Sequence, residues 1–107
     1  MAVARIQLPP QAKRGEVIEV RIIVKHPMET GFRYDSYGRL TPRNVIRSLV
    51  CRYNGTVVFE GLLSSGIAAN PYLRFFTRAV ESGELEFSWI DDDKVAGKAS
   101  APITVVD

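Results

Sequence analysis

The stretch EVRIIVKHPMETG, residues 19–31, decides the fold class of this chain. Every second residue from Ile18 to Val24 is aliphatic, and two of the three positions between them are charged. This period of two predicts a β-strand with one buried face. His26-Pro27 then ends the strand, because proline has no N–H for the ladder and restricts the residue before it. The predicted strand therefore places the only histidine of the chain where a long connection begins.

That connection runs from residue 26 to residue 44 and shows no sustained period of 2 or 3.6. It contains prolines, glycines and charged residues, and its segment DSYG, residues 35–38, is typical of a turn. Connections of this length are uncommon in compact domains unless they have a function. We therefore expect a protruding loop or an open hairpin between residues 26 and 44.

The clearest hairpin signal is Asn54-Gly55, which separates predicted strands at residues 45–53 and 56–63. A two-residue turn with regular pairing places Cys51 opposite Val58 and Leu49 opposite Glu60. Both faces of this hairpin carry many apolar residues. We expect one face to join the core and the other to be covered by another chain.

The rest of the chain continues the same pattern of short strands and turns. Further strands are predicted at residues 5–8, 72–79, 84–90 and 103–106, with a turn at residues 12–15 and a segment at residues 95–101 that leads to the last strand. No segment shows helical periodicity over ten residues. About seven strands at this spacing predict an all-β protein, an immunoglobulin-like antiparallel β-sandwich, in one domain that spans residues 1–107.

Composition limits the classes of function. The chain has 46% hydrophobic and 24% charged residues, as an ordinary globular domain does. Its net charge of +2 is too small to predict nucleic-acid binding. No apolar run reaches the length of a membrane span or of a signal-peptide core, so we expect neither membrane association nor a signal peptide of its own. One cysteine excludes an intrachain disulfide.

Residues that could carry chemistry lack the partners that chemistry needs. Cys51 lies in the middle of a predicted strand, where a thiol is usually buried and inert. His26 and Met28 are copper ligands by type, but the chain offers too few further ligands nearby. Residues 91–93, DDD, lack the glycine and glutamate of a calcium loop. We therefore predict no catalytic residue, no cofactor and no metal site, and hence no enzyme.

Binding to another protein is the function that remains after these exclusions. Five arginines in or just after the long connection could steer an acidic partner, although a solvated loop would carry them equally well; they are Arg33, Arg39, Arg43, Arg47 and Arg52. Seven side chains are the predicted partner contacts: His26, Met28, Arg33, Arg47, Cys51, Val58 and Phe59.

Seven segments together resemble a known family. They are ARIQLP at residues 4–9, KRGEVIE at 13–19, HPMETG at 26–31, PRN at 42–44, CRYNG at 51–55, GIAANPY at 66–72 and ESGELEF at 81–87. In this order, over nearly the full length, they resemble the SoxZ family, the smaller subunit of the SoxYZ sulfur-carrier complex of bacterial thiosulfate oxidation.

The resemblance implies an immunoglobulin-like, non-catalytic scaffold that forms a heterodimer with a SoxY-like carrier. In that family SoxY holds sulfur intermediates on a cysteine in a flexible glycine-rich arm, and residues 101–107, APITVVD, contain no such cysteine. The resemblance also implies a periplasmic protein that is exported together with a signal-bearing partner. It permits contacts with other sulfur-oxidation enzymes and self-association of the isolated chain. The alternative function is an immunoglobulin-like binding module for a different protein or a glycan.

Overall fold

The computed structural model describes residues 4–64 and 66–107. Within these residues eight strands and no helix are present: β1 (Ala4–Gln7), β2 (Gln11–Lys13), β3 (Val17–Val24), β4 (Ile46–Tyr53), β5 (Thr56–Leu62), β6 (Tyr72–Arg78), β7 (Gly83–Asp91) and β8 (Ala96–Val106). In this part of the chain no helix meets the length and apolarity of a membrane span. The predicted domain span and the expected absence of a signal peptide include residues 1–3, which lie outside the described residues, as does Ser65.

The strands form two sheets that pack face to face. One has three strands in the order β1-β3-β6, and the other has five in the order β2-β8-β7-β4-β5. The alternation that predicted β3 is present in space, because Ile18, Val20, Ile22 and Val24 are all buried against the opposite sheet. Phe87 on β7 is fully buried in the same core. The predicted immunoglobulin-like β-sandwich is confirmed.

Strand β2 adds one parallel ladder to the otherwise antiparallel sandwich. Residues 12–15 were expected to form a turn, but β2 pairs with β8 in a parallel ladder from Gln11 opposite Thr104 to Lys13 opposite Val106. Ala12 is buried by this pairing, and the turn follows only at Gly15, whose φ is +88°. Three residues are too few to show a period, which is why the sequence pattern missed the strand. The C-terminal segment also differs, because β8 is one continuous strand of eleven residues.

A β-bulge in β5 corrects the predicted register of the β4–β5 hairpin. Tyr53 pairs with Thr56 as expected, but Cys51 pairs with Phe59 and Leu49 with Gly61, because Val58 is an extra residue in the ladder. The predicted pairs Cys51–Val58 and Leu49–Glu60 are therefore wrong.

The physical reason for the bulge lies at residue 60. Regular pairing would place Glu60 beside the buried Leu49 on the core side, and a buried unpaired carboxylate is costly. The bulge turns Glu60 outward and brings Phe59 inward. The ring of Phe59 then stacks on Phe75 of β6, with ring centroids 4.5 Å apart.

Candidate functional site

His26 forms a buried corner at the end of β3. Its Nδ1 accepts the backbone N–H of Met28 at 2.9 Å, so the ring proton lies on Nε2 in the neutral imidazole. Nε2 faces Oδ2 of Asp91 at 3.2 Å and donates to it. The backbone N–H of His26 donates to Oδ1 of Asn70 at 3.1 Å, and the backbone carbonyl of His26 accepts the N–H of Asn70 at 2.8 Å. His26 thus connects β3 with the end of β7 through its imidazole and with the loop that precedes β6 through its backbone.

Asp91 supplies the charge of this corner. Burial by itself raises the pKa of Asp91, but hydrogen bonds from the N–H of Val95 and from His26 outweigh burial and lower the pKa below the ordinary 3.8. The Val95 bond measures 2.9 Å to Oδ1. The carboxylate therefore stays ionised in the folded chain, with each oxygen accepting a hydrogen bond from a different partner.

Met28 anchors the start of the long connection. Its side chain is buried, and its sulfur accepts the backbone N–H of Ile46 at 3.3 Å. Its φ of +51° lies in the left-handed region, which is strained for a methionine and which the surrounding contacts must maintain. His26 and Met28 thus use their polar atoms within this chain. Whether either also contacts a partner stays a prediction.

Residues 26–44 form an open hairpin, as expected. Two isolated bridges, Glu29 with Asn44 and Tyr34 with Leu40, join its arms. At the tip, Oδ1 of Asp35 accepts the N–H groups of Tyr37 and Arg39. We call residues 29–44 the long hairpin. It contributes to an elongated molecule with extents of 60 × 24 × 19 Å.

Four large side chains on the long hairpin are exposed, namely Phe32, Tyr34, Tyr37 and Leu40. Phe32 is 82% exposed and Tyr37 80%. Exposed aromatic groups beside arginine are typical of protein interfaces. The arginines of this segment were among the residues that the sequence pointed to as partner contacts, but its aromatic residues were not. The signal was there in the aromatic pair at residues 32 and 34, two positions apart.

Most arginines near this hairpin have a carboxylate partner within the chain. Arg33 forms an ion pair with Glu29, with Nη2 2.6 Å from Oε1. Arg43 and Arg47 both approach Asp92, with Nε–carboxylate distances of 3.2 and 3.6 Å. The predicted contacts Arg33 and Arg47 therefore have carboxylate partners within the chain, while their side chains stay about half exposed.

Val58 and Phe59 both lie against the core, half-buried, at the edge strand β5. The bulge accounts for this, because it lets consecutive residues pack inward. Regular alternation predicts that neighbouring residues of the hairpin lie on opposite faces, one towards the core and one towards a partner. Val58 and Phe59 instead both pack towards the core. Their role as partner contacts is not tested by this geometry.

Cys51 is fully buried in β4 beneath the opposite sheet. Burial raises the pKa of its thiol to about 12. Because the thiolate is the reactive form, burial and the raised pKa both disfavour reaction of Cys51 in the folded chain. Among residues 4–64 and 66–107, no group of three His, Cys, Asp or Glu side chains converges in a way that could hold a metal ion.

We predict that native Cys51 resists alkylation. A pKa near 12 in place of the ordinary 9.0 lowers the thiolate fraction about a thousandfold, and burial also blocks access. Mass spectrometry after treatment with iodoacetamide should show slow labelling in buffer and rapid labelling of the same chain in denaturant. Equal rates in both conditions would make Cys51 a reactive thiol.

Comparisons with known proteins fit this geometry. Superoxide reductase (neelaredoxin) from Ignicoccus hospitalis shares the fold with a TM-score of 0.73 and 20% sequence identity, over 98% of this chain and 81% of that chain. A protein from Thermotoga maritima described as a putative superoxide reductase shares it with a TM-score of 0.74 and 16% identity, over 97% of this chain and 86% of that chain. The sulfur carrier protein SoxY from Chlorobium limicola f. thiosulfatophilum shares it with a TM-score of 0.68 and 11% identity, over 100% of this chain and 82% of that chain. At these identities the likeness shows the fold alone.

A comparison with curated protein sequences found no match. The family model described as sulphur oxidation protein SoxZ, in contrast, matches residues 6–102, which is most of the chain. That span includes most of both sheets, the His26 corner and the long hairpin. The chain belongs to the SoxZ family of sulphur oxidation proteins.

Proposed function

We propose that this chain is the non-catalytic scaffold subunit of a SoxYZ-type complex, in which it pairs with a SoxY-like sulfur carrier. The observation that carries the proposal is the SoxZ family match over residues 6–102. The chain also shares its fold with the sulfur carrier protein SoxY from Chlorobium limicola f. thiosulfatophilum, which is consistent with a place in the same kind of complex. We further propose that the pair works in the periplasm and that a signal-bearing partner brings this chain there.

The chemistry of the chain is consistent with a scaffold. Its single thiol is buried with a raised pKa, and its single imidazole has both ring nitrogens in hydrogen bonds. A sulfur intermediate would therefore be attached to a cysteine of the partner. What this chain offers to other molecules is its surface.

Affinity capture tests the pairing. The tagged chain, expressed in its source organism under thiosulfate-oxidising growth, should retain one protein in equal amount whose terminus is glycine-rich and contains a cysteine. Intact-mass analysis identifies that terminus. Recovery of the chain alone, with binding to a glycan panel, would instead support the alternative function of an immunoglobulin-like binding module.

The long hairpin is a proposed contact for the enzymes that load and unload the carrier. A narrow hairpin offers a partner less area than a sheet face, which suits a transient contact better than a permanent one. We predict that Phe32→Ser combined with Tyr37→Ser lowers thiosulfate-dependent turnover in the reconstituted pathway about tenfold, since aromatic residues often dominate interface energetics.

The matched variant for this test is Val80→Ser combined with Val95→Ser. Both side chains are exposed, at 50% and 61%, and both lie outside the long hairpin, the β4–β5 hairpin and the sheet strands. This variant should retain normal turnover, and both variants should still bind the carrier. Normal turnover in the hairpin variant would show that the long hairpin is not a contact for these enzymes.

A further inference from the structure

The outward face of the three-stranded sheet has an unusual charge. It consists of every second residue in the ranges 5–7, 17–23 and 72–78, and we call it the arginine face. It carries four arginines, Arg5, Arg21, Arg74 and Arg78, and one acid, Glu19. The whole chain has 14 basic and 12 acidic residues, so outside this face acids outnumber bases. The net positive charge of the chain therefore comes from the arginine face.

Two of these arginines oppose each other at the centre of the face. Arg21 on β3 pairs directly with Arg74 on β6, and like charges in this position are unfavourable. Both guanidinium groups approach the single carboxylate of Glu19; Nη1 of Arg74 lies 3.7 Å from Oε2, and Nε of Arg21 contacts Oε1. One carboxylate cannot neutralise two guanidinium groups. The centre of the face thus has an excess cation whose natural complement is an acid from another molecule.

Apolar side chains surround this charge. Val17, Ile23, Tyr72 and Phe76 are 40% to 58% exposed. Beside Arg21, the face contains a cleft of about 230 Å³ that Leu8 and Pro9 help to line. Arginine with aromatic and aliphatic groups is the composition of a protein interface. A surface that binds nucleic acid contacts mainly phosphate groups, and exposed aliphatic side chains do not serve that purpose.

A second copy of this chain does not complement the face. A symmetric dimer uses the same patch on both subunits, so it would oppose four arginines to four arginines with one glutamate on each side. Like charges brought together in this way disfavour association. The occupant of the face is therefore a different protein with acidic and apolar residues.

We propose that the arginine face is the surface that binds the SoxY-like carrier, through an acidic and partly apolar face of that subunit. This inference rests on the proposed function. It assigns the permanent contact to the sheet face and leaves the long hairpin accessible to other proteins.

The test measures, by calorimetry, how tightly the purified SoxY-like subunit of the same organism binds two proteins. One is the unchanged full chain, and the other is the double variant Arg21→Gln combined with Arg74→Gln. We expect binding to weaken about 100-fold or more, because the partner's buried acids lose their counterions. The thermal midpoint of the variant should stay close to that of the unchanged chain, since the substitution removes both the opposed like charges and their exposed ion pairs with Glu19, and exposed ion pairs contribute little to stability. Loss of affinity without loss of stability separates a contact from a folding defect.

The matched control is Lys94→Gln combined with Lys98→Gln, which removes the same charge at two exposed positions beyond the face. It should bind the carrier as the unchanged chain does. If the arginine variant also binds normally, the assignment of this face is wrong and the proposed pairing stands. If the unchanged chain does not bind the carrier, the proposed function is wrong. Binding of a DNA duplex that the arginine variant loses would overturn the assignment in favour of nucleic acid.

Discussion

Gly97→Ala is expected to lower the free energy of unfolding by about 2 kcal/mol, because overpacking a well-packed site costs that much or more. Gly97 on β8 pairs with Trp89 on β7, and the indole lies over the glycine. A Cβ at Gly97 would stand 2.3 Å from Cε2 and Nε1 of the indole. Trp89 is only 8% exposed, so the ring cannot move aside without disturbing the core.

Trp89 also reports the result, because it is the only tryptophan of the chain. Denaturant unfolding followed by its fluorescence gives the stability of each variant. The matched variant is Gly61→Ala on β5, where a Cβ would meet the Phe59 ring at an ordinary 3.4 Å. It should keep or slightly gain stability, since alanine restricts the unfolded chain. Equal midpoints for the two variants would contradict the packing described for Trp89.

Asp91→Asn is the second substitution with a large expected effect, a loss of about 2 kcal/mol near neutral pH, the cost of a buried donor without an acceptor. The two carboxylate oxygens accept from Val95 and His26, but an asparagine presents an NH₂ group in place of one of them. His26 cannot adapt by moving its proton, because Nδ1 must stay free to accept the N–H of Met28. One donor is therefore left unsatisfied whichever way the amide points.

The pH dependence follows from the lowered pKa of Asp91. A carboxyl group whose folded pKa lies below its ordinary value stabilises the fold fully above that value, 3.8, and loses this contribution as pH falls through the folded pKa. The stability gap between the unchanged chain and Asp91→Asn should thus narrow only at strongly acidic pH. Asp93→Asn removes the same charge at an exposed position of the same turn and should cost little. If the difference in the free energy of unfolding between the two proteins stays constant from neutral to strongly acidic pH, the charge of the Asp91 carboxylate does not contribute to stability.

Local pattern was enough to predict the sandwich. The period of two marked β3, and Asn54-Gly55 marked the β4–β5 turn, because both signals depend on neighbours in sequence. The bulge at Val58 was missed, although its cause is visible in retrospect. Regular pairing from the turn would have directed Glu60 towards the core, and that conflict predicts an extra residue between the turn and Glu60.

Features that depend on strand order could not be predicted from one sequence. Asp91 lies 65 positions after His26, and only the packing of β3 near the end of β7 joins them. The arginine face is a similar case, since Arg21 and Arg74 become neighbours through the β3–β6 ladder. In the sequence each is an isolated charge in an alternating strand, a pattern that any solvated face would show.

The HPMETG segment and the residues that follow it have separate roles. Its histidine and methionine are internal and hold the corner, while the residues that follow expose aromatic groups. The same fold occurs in superoxide reductases, so the sandwich by itself does not determine the function. The partner sites that we propose both lie on the surface, the arginine face for the carrier and the long hairpin for enzymes.

The mass of the complex tests the central claim most directly. Sedimentation of this chain mixed with the purified SoxY-like subunit of the same organism, at micromolar concentration, should give one species with the summed mass of one copy of each. Each protein sedimented separately provides the reference. Two independent boundaries in the mixture, at the masses of the separate proteins, would contradict the proposal that this chain is the scaffold of a sulfur-carrier pair.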